Sequence, residues 1–299
     1  MVALFSIPLG FSPTVFWIYV AAISLLVIAL FKIPGEVPRH HGLDKIMPFG
    51  RMFYAMPYAV FGSEHFSSAK DIAGLVPKWI PFHLFWTYLI GLGFLLAAVA
   101  IVLLVQARLA AAMVAFTMFS FVILMDIPGT IGNPHNRIIW ALMLRELSFG
   151  AGGLAFALSP SVTRPSQSSP APPRALAIPR IFIGITAVFY GVQHFLHPAN
   201  VPSVPLEKFT PTWIPGHIAL SYFVGAVLVL AGACLLVNKK TRLAATILGL
   251  TVLLTMFWVY LPILIAAPKE LEALNYFFDT LLFCGTVLLL ANAMPREAA

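Results

Sequence analysis

Glu64 and His65 are adjacent ionisable residues in the segment FGSEHF, which ends a long and otherwise apolar stretch of the sequence. Asp126 ends a later apolar stretch, and Arg145 and Glu146 lie inside the next one. A histidine with a nearby carboxylate can exchange protons near neutral pH, and an arginine keeps neighbouring carboxylates ionised. If the fold brings them together, these five residues form a candidate catalytic site for proton transfer.

The elements that carry these residues are predicted to be membrane-spanning helices. Of the 299 residues, 60% are hydrophobic and 10% are charged, whereas about a quarter are charged in a soluble domain. Several apolar runs exceed the roughly 20 residues with which a helix crosses the hydrocarbon layer. Only helices and closed barrels satisfy their backbone groups there, and long continuous apolar runs favour helices. The sequence therefore predicts an all-α integral membrane protein with about nine transmembrane helices. Their predicted bounds are 14–32, 48–66, 82–105, 108–127, 138–158, 177–196, 216–237, 241–266 and 274–294.

Lysine and arginine residues predict the orientation of these helices. With the C-terminus inside, 12 of the 18 lie on the inner side and 5 on the outer side, while Arg145 lies in a span. This bias predicts an outer N-terminus and a cytoplasmic C-terminus. The first span is not followed by a small-residue cleavage signal, so it is predicted to be retained. The bias also accounts for the net charge of +7, so the expected partner is the lipid bilayer and no nucleic acid is expected.

Each charged residue also has a purely structural interpretation. Glu64 and His65 could form an ion pair or a helix-end hydrogen bond at the wet membrane interface. Arg145 could neutralise Asp126 or Glu64 across helices, because buried charges are usually paired. No bound metal is predicted, because Glu64 and His65 diverge by about 100° around a helix and do not share a face. Cys234 and Cys284 lie in separate spans and form no C-x-x-C pair, so dithiol chemistry is not indicated.

The sequence contains an internal repeat. GSEHF (62–66) corresponds to GVQHF (191–195), and PKWIPFH (77–83) corresponds to PTWIPGH (211–217). Between 77–110 and 211–244, 12 of 34 positions are identical at a constant spacing of 134. A match of Trp, Pro and His in register is not a product of biased composition. We expect two parallel four-helix repeats. The predicted parts are a leading helix with its cytoplasmic connection (1–47), the first repeat (48–158), a Ser/Pro-rich cytoplasmic linker (159–176) and the second repeat with a short tail (177–299).

The two repeats share histidines but not charges. His65 corresponds to His194, whereas the charged positions change from Glu64 to Gln193, Asp126 to Tyr260, Arg145 to Asp279 and Glu146 to Thr280. The concentrated charge thus belongs to the first repeat. Glu64 is the sharper functional candidate, because the second repeat accepts glutamine at that position.

The loop element P-x-W-I-P-x-H lies on the predicted outer side in both repeats. Tryptophan prefers the lipid headgroup level, so the element predicts an interfacial anchor. The alternative is a lid over a pocket between helices. In that case the candidate cofactor-binding residues are His65, Trp79, His83, His194, Trp213 and His217.

These motifs resemble the DoxX-like family of bacterial membrane proteins. The resemblance rests on the G-x-x-H-F ending of the first helix of each repeat and on the P-x-W-I-P loop that follows it. It implies a four-helix bundle for each repeat and a place in the bacterial inner membrane. For some members it implies service as the membrane subunit of a thiosulfate:quinone oxidoreductase. The tandem arrangement with an extra leading helix departs from the family's single-unit pattern.

Two classes of function follow. In the first, a quinone binds near the outer face, His65 donates to a quinone oxygen, Glu64 or Asp126 relays protons, and a partner redox subunit supplies electrons. In the second, the same residues line the cavity of a small-molecule or lipid-handling permease, or the chain is a scaffold subunit of a membrane complex. No pair of broken helices is predicted at matching positions, and the matched Gly91 and Gly225 predict close helix packing. Signatures of nucleotide-binding, hydrolase and zinc-protease sites are absent from the sequence.

Overall fold

The computed structural model describes residues 10–159, 174–204 and 207–295. Within these ranges the chain forms nine long helices, and each coincides with one predicted span. They are α1 (Pro13–Lys32), α2 (Met47–Ser67), α3 (His83–Leu103), α4 (Ala107–Gly132), α5 (Arg137–Leu158), α6 (Ala177–Leu196), α7 (His217–Leu236), α8 (Thr241–Ala266) and α9 (Leu271–Ala293). The prediction of an all-α membrane protein is confirmed. Most of the predicted linker, residues 160–173, lies outside the described ranges.

Seven of the nine helices are long and apolar enough to cross a membrane, within the part of the chain that the structure describes. The other two, α2 and α6, are less apolar. α2 is a central helix that packs against α1, α3 and α9, whereas α6 packs against α5 and α7 and keeps an exposed apolar face. The polar side chains of both helices can point towards these neighbours and away from lipid.

The helices form two interlocked four-helix units. We call α2–α5 the first unit and α6–α9 the second unit. The first helix of each unit packs against the last helix of the other unit, so α2 lies along α9 and α6 lies along α5. The two last helices, α5 and α9, also pack against each other. These corresponding contacts support the two-repeat organisation, which stays a prediction.

A π-helical turn interrupts α4 at Val122–Asp126 and α8 at Met256–Tyr260, and each turn is followed by a proline, Pro128 or Pro262. Proline has no N–H to donate to the carbonyl four residues earlier and its ring crowds that carbonyl, which explains a local change of helical pitch. Both helices continue through the turn, so they are distorted at corresponding positions but not broken. Turns of this kind often lie at functional sites.

Two ion pairs fix the connection between α1 and α2 at the end of the bundle where α2 begins. Arg51 binds Glu36 in bidentate fashion at 2.6 and 2.7 Å. Arg242, at the start of α8, binds Asp44 at 2.8 Å. Glu36 and Asp44 both belong to this connection, so one connection is tied to the first helix of the first unit and to a helix of the second unit.

Candidate functional site

A cavity of about 370 Å³ lies inside the first unit, towards the end of the bundle where α2 ends and α3 begins. Pockets for small organic ligands typically have volumes of about 300–1,000 Å³. Helices α2, α3, α4, α5 and α9 form its wall, together with the connection between α2 and α3. Most of the wall is apolar. Its polar side chains are Tyr58, Glu64, His65, Thr87, Arg145, Glu146, Asn275 and Asp279.

The structure brings the five candidate catalytic residues into one half of the first unit. Glu64, His65, Arg145 and Glu146 line the cavity. Asp126 lies behind the wall, with its carboxyl group within hydrogen-bonding reach of the carboxyl group of Glu146. Its Oδ2 atom is buried without a hydrogen-bond partner among the described residues. Two facing carboxyl groups repel each other when both are ionised, so this pair is suited to share one proton.

Arg145 is bound by a residue of the second unit. Its Nη1 atom lies 2.5 Å from Oδ2 of Asp279, and its Nη2 atom lies 3.7 Å from Oε1 of Glu146. Arg145 and Asp279 are separated by 134 residues, the spacing of the repeat. Corresponding positions on α5 and α9 thus meet each other. In the structural interpretation of the sequence, Asp126 or Glu64 would neutralise Arg145. The ion pair forms with Asp279 instead, because α5 and α9 pack against each other.

Glu64 also contacts the second unit. The side-chain amide of Asn275 on α9 donates a hydrogen bond to Oε1 of Glu64, with an N–O distance of 3.4 Å. The Oδ1 atom of Asn275 is buried and has no partner among the described residues. A buried amide oxygen without a donor is costly, so the contact between Glu64 and Asn275 leaves one acceptor unsatisfied next to the cavity.

His65 is seated by a close crossing of α2 and α3. A Cβ atom on Gly91 would lie 2.6 Å from the Cβ atom of His65, and one on Gly62 would lie 2.9 Å from the carbonyl oxygen of Gly91. Only glycine allows this approach, which confirms the predicted close packing at Gly91. The Nδ1 atom of His65 lies 2.7 Å from the carbonyl oxygen of Phe61. The G-x-x-H-F motif thus contributes the glycine that permits the crossing and the histidine that packs over it.

The second unit repeats this histidine packing, and there a buried segment of the chain lies against the ring. A Cβ atom on Gly225 would lie 2.8 Å from that of His194. His194 has both ring nitrogens engaged: Nδ1 lies 2.6 Å from the carbonyl oxygen of Tyr190, and Nε2 accepts the backbone N–H of Ser203 at 2.7 Å. The segment 201–204, which we call the plug, is buried. The plug therefore fills the place that the cavity occupies in the first unit.

The four remaining candidate cofactor-binding residues lie outside the cavity. Trp79 and Trp213 are 70% and 56% exposed, as expected of anchors at the membrane interface. His83 and His217 begin α3 and α7. The P-x-W-I-P-x-H element itself does not line the cavity. Three apolar residues of the connection just before it do: Ile72, Leu75 and Val76.

Asn275 and Asp279 are site residues that the sequence analysis did not select. Both lie on α9 and were assigned to the second repeat, away from the charge cluster. One signal was present in the sequence, because residues of opposite charge, Arg145 and Asp279, stand at corresponding repeat positions. Such residues meet when they lie close to the axis that relates the two units. Within the described ranges, no group of three or more His, Cys, Asp and Glu side chains is placed to hold a metal ion.

The fold and the cavity define a multi-pass membrane protein with a cluster of polar side chains inside its helical bundle. Residues 175–261 match the model of the DoxX family, so the DoxX-like resemblance is confirmed for this part of the chain. Residues 54–133 match the model of a domain of unknown function (DUF8561). The two matched segments cover corresponding parts of the two units. No curated protein and no solved structure matches the chain.

Proposed function

We propose that the cavity of the first unit binds the ring of a membrane quinone, and that the chain is the quinone-binding membrane subunit of an oxidoreductase. The observation that carries this proposal is the cavity itself: an apolar space of about 370 Å³ in a membrane bundle, with a histidine and a carboxyl group in its wall. A quinone ring needs an apolar site, and its reduction or oxidation needs groups that hold and move protons.

The residues present fit such a ring. His65 and Glu64 stand in the wall, and the side chains of Thr87, Asn275 and Arg145 add further polar groups to it. A bound quinone would accept and release two electrons together with two protons. Glu64 is the group in the wall that can exchange a proton with the ring. Arg145 pairs with Asp279 and so ties α5 to α9.

The electrons require a second protein or an external reductant, since the chain carries no recognisable cofactor motif. We therefore propose a partner redox subunit. With the orientation predicted from the Lys and Arg bias, the cavity opens towards the outer half of a bacterial inner membrane, with the N-terminus outside and the C-terminus in the cytoplasm.

Purification of the protein in a mild detergent, followed by mass spectrometry of extracted lipids, tests this function. We expect a quinone to be retained by the wild-type protein, and His65→Ala to lower the amount about tenfold through loss of a buried hydrogen bond and of packing. Glu64→Gln should lower quinone-dependent electron transfer. Glu272→Gln is the matched control, because Glu272 is 60% exposed and pairs with Lys208 away from the cavity. Absence of quinone from the wild-type protein, with electron transfer unchanged in Glu64→Gln, would contradict the proposal.

A second candidate function is transport of a small amphipathic molecule or lipid. The observation that favours it is the pair of π-helical turns at corresponding positions of α4 and α8, because transporter sites are often built on interrupted helices of two repeats. Uptake of a labelled substrate into proteoliposomes, abolished by Glu64→Gln, would support this alternative over the quinone site.

A further inference from the structure

The second unit shows which kind of hydrogen-bonding group its buried histidine, His194, binds. We call the packing of this histidine against the glycine of the neighbouring helix (Gly225; Gly91 for His65) the histidine seat. A carbonyl oxygen can only accept a hydrogen bond, so the Nδ1 atom of His194 must donate its proton to Tyr190. The Nε2 atom then carries a lone pair, and it accepts the N–H of Ser203 at 2.7 Å. Both groups are buried. The protonation of this ring is thus fixed by its two partners.

The group that binds His194 is one planar amide of the plug. The N–H of Ser203 and the carbonyl group of Pro202 belong to the same peptide bond, and the hydroxyl group of Tyr260 donates to that carbonyl oxygen at 2.5 Å. On either side stand the buried side chains of Val201 and Val204. The plug therefore presents a planar group with a hydrogen-bond donor, surrounded by apolar atoms.

The first unit has the same histidine seat without a plug. The Nδ1 atom of His65 lies 2.7 Å from the carbonyl oxygen of Phe61, so the proton is again on Nδ1 and the lone pair on Nε2. Among the described residues no N–H or O–H group bonds this Nε2 atom. The connection from Phe66 to Pro77 contains 10 residues and that from Phe195 to Pro211 contains 15, so the first unit lacks five residues that the second has. His65 faces a cavity instead.

We propose that the first-unit cavity selects ligands that donate a hydrogen bond to Nε2 of His65, and hence binds the hydroxyl-bearing, reduced form of its ring ligand in preference to the carbonyl-bearing form. This inference rests on the proposed quinone site and reverses the expected role of His65, which accepts rather than donates. The oxidised ring offers only acceptor oxygens, which cannot satisfy the lone pair of Nε2.

Three probes that share one ring test this selection: a short-chain benzoquinol, the corresponding quinone, and the dimethyl ether of the quinol. Their dissociation constants are measured anaerobically by equilibrium dialysis against the full-length protein in lipid nanodiscs. We expect the quinol to bind about tenfold more tightly than the quinone, which has nearly the same size but no donor, and than the dimethyl ether, in which methyl groups replace both donor protons. A factor of ten corresponds to about 1.4 kcal/mol.

His65→Phe keeps an aromatic ring but removes the acceptor, so all three probes should then bind with similar affinity. His65→Gln retains an acceptor oxygen and should keep part of the preference, which makes the test independent of any loss of stability in one variant. If the wild-type protein binds quinone as tightly as quinol, or if His65→Phe keeps the full preference, this inference is wrong while the ring site stands. If none of the three probes binds, the proposed quinone site itself is wrong.

Discussion

Removal of one partner of the Arg145–Asp279 ion pair should destabilise the bundle. The two side chains are 19% and 10% exposed and their charged atoms are 2.5 Å apart, so most of each charge is withdrawn from water. Breaking a buried pair by removing one partner costs about 3–5 kcal/mol. Asp279→Leu leaves Arg145 with Glu146 at 3.7 Å, so we expect a loss near the lower end, about 3 kcal/mol. Arg145→Met leaves two carboxyl groups without a cation, and we expect about 5 kcal/mol.

Reversible unfolding in mixed micelles of a mild detergent and dodecyl sulfate measures these free energies of unfolding. The double variant Arg145→Met/Asp279→Leu removes both charges, and apolar replacement of a whole buried pair is often neutral. Its free energy of unfolding should lie within about 1 kcal/mol of the wild-type value, far from the sum of the single losses. Glu272→Gln, which breaks an exposed pair with Lys208, should change it by less than about 0.5 kcal/mol. If the two single losses simply add in the double variant, the residues do not act as a pair and the reasoning fails.

Two further predictions concern packing and the connection between α1 and α2. Gly91→Ala places a Cβ atom 2.6 Å from that of His65 and should cost about 1–3 kcal/mol by overpacking. Gly93→Ala, on the same helix with open space around it, should be neutral or slightly stabilising. Thermal unfolding of both variants compares them, and equal losses would show that the helix crossing is not tight. Glu36→Gln removes a bidentate partner from the buried Arg51, so it should lower the free energy of unfolding by about 2–3 kcal/mol. It should also increase the rate of proteolysis between α1 and α2. An unchanged cleavage rate would contradict the anchoring role of Glu36.

The helices could be predicted because lipid leaves the chain few choices. A long apolar run must satisfy its own backbone groups, so its length and sequence position define a helix. Where the sequence was less apolar, at α2 and α6, the internal repeat and the matching G-x-x-H-F endings still marked a helix. The polar side chains of these two helices lower their hydropathy, which explains why hydropathy alone underrates them.

The composition of the site could be predicted only in part. Glu64, His65, Arg145 and Glu146 lie on helices whose positions the sequence indicates, and polar residues in spans tend to face the bundle interior. The contribution of Asn275 and Asp279 depends on how two units pack, which helix prediction does not give. The difference between a filled and an open histidine seat depends on how a connection with five extra residues folds.

The Arg145–Asp279 pair also bears on why two units would share one polypeptide. When two identical chains associate about a twofold axis, a residue close to the axis faces its own copy. Arginine would then face arginine, or aspartate would face aspartate, and either contact would be repulsive within the membrane. Once both units are encoded in a single chain, the two positions can differ, and one can become the counter-ion of the other. Covalent fusion therefore lets two corresponding positions near the axis carry opposite charges, which a symmetric homodimer of either unit could not do at a single position.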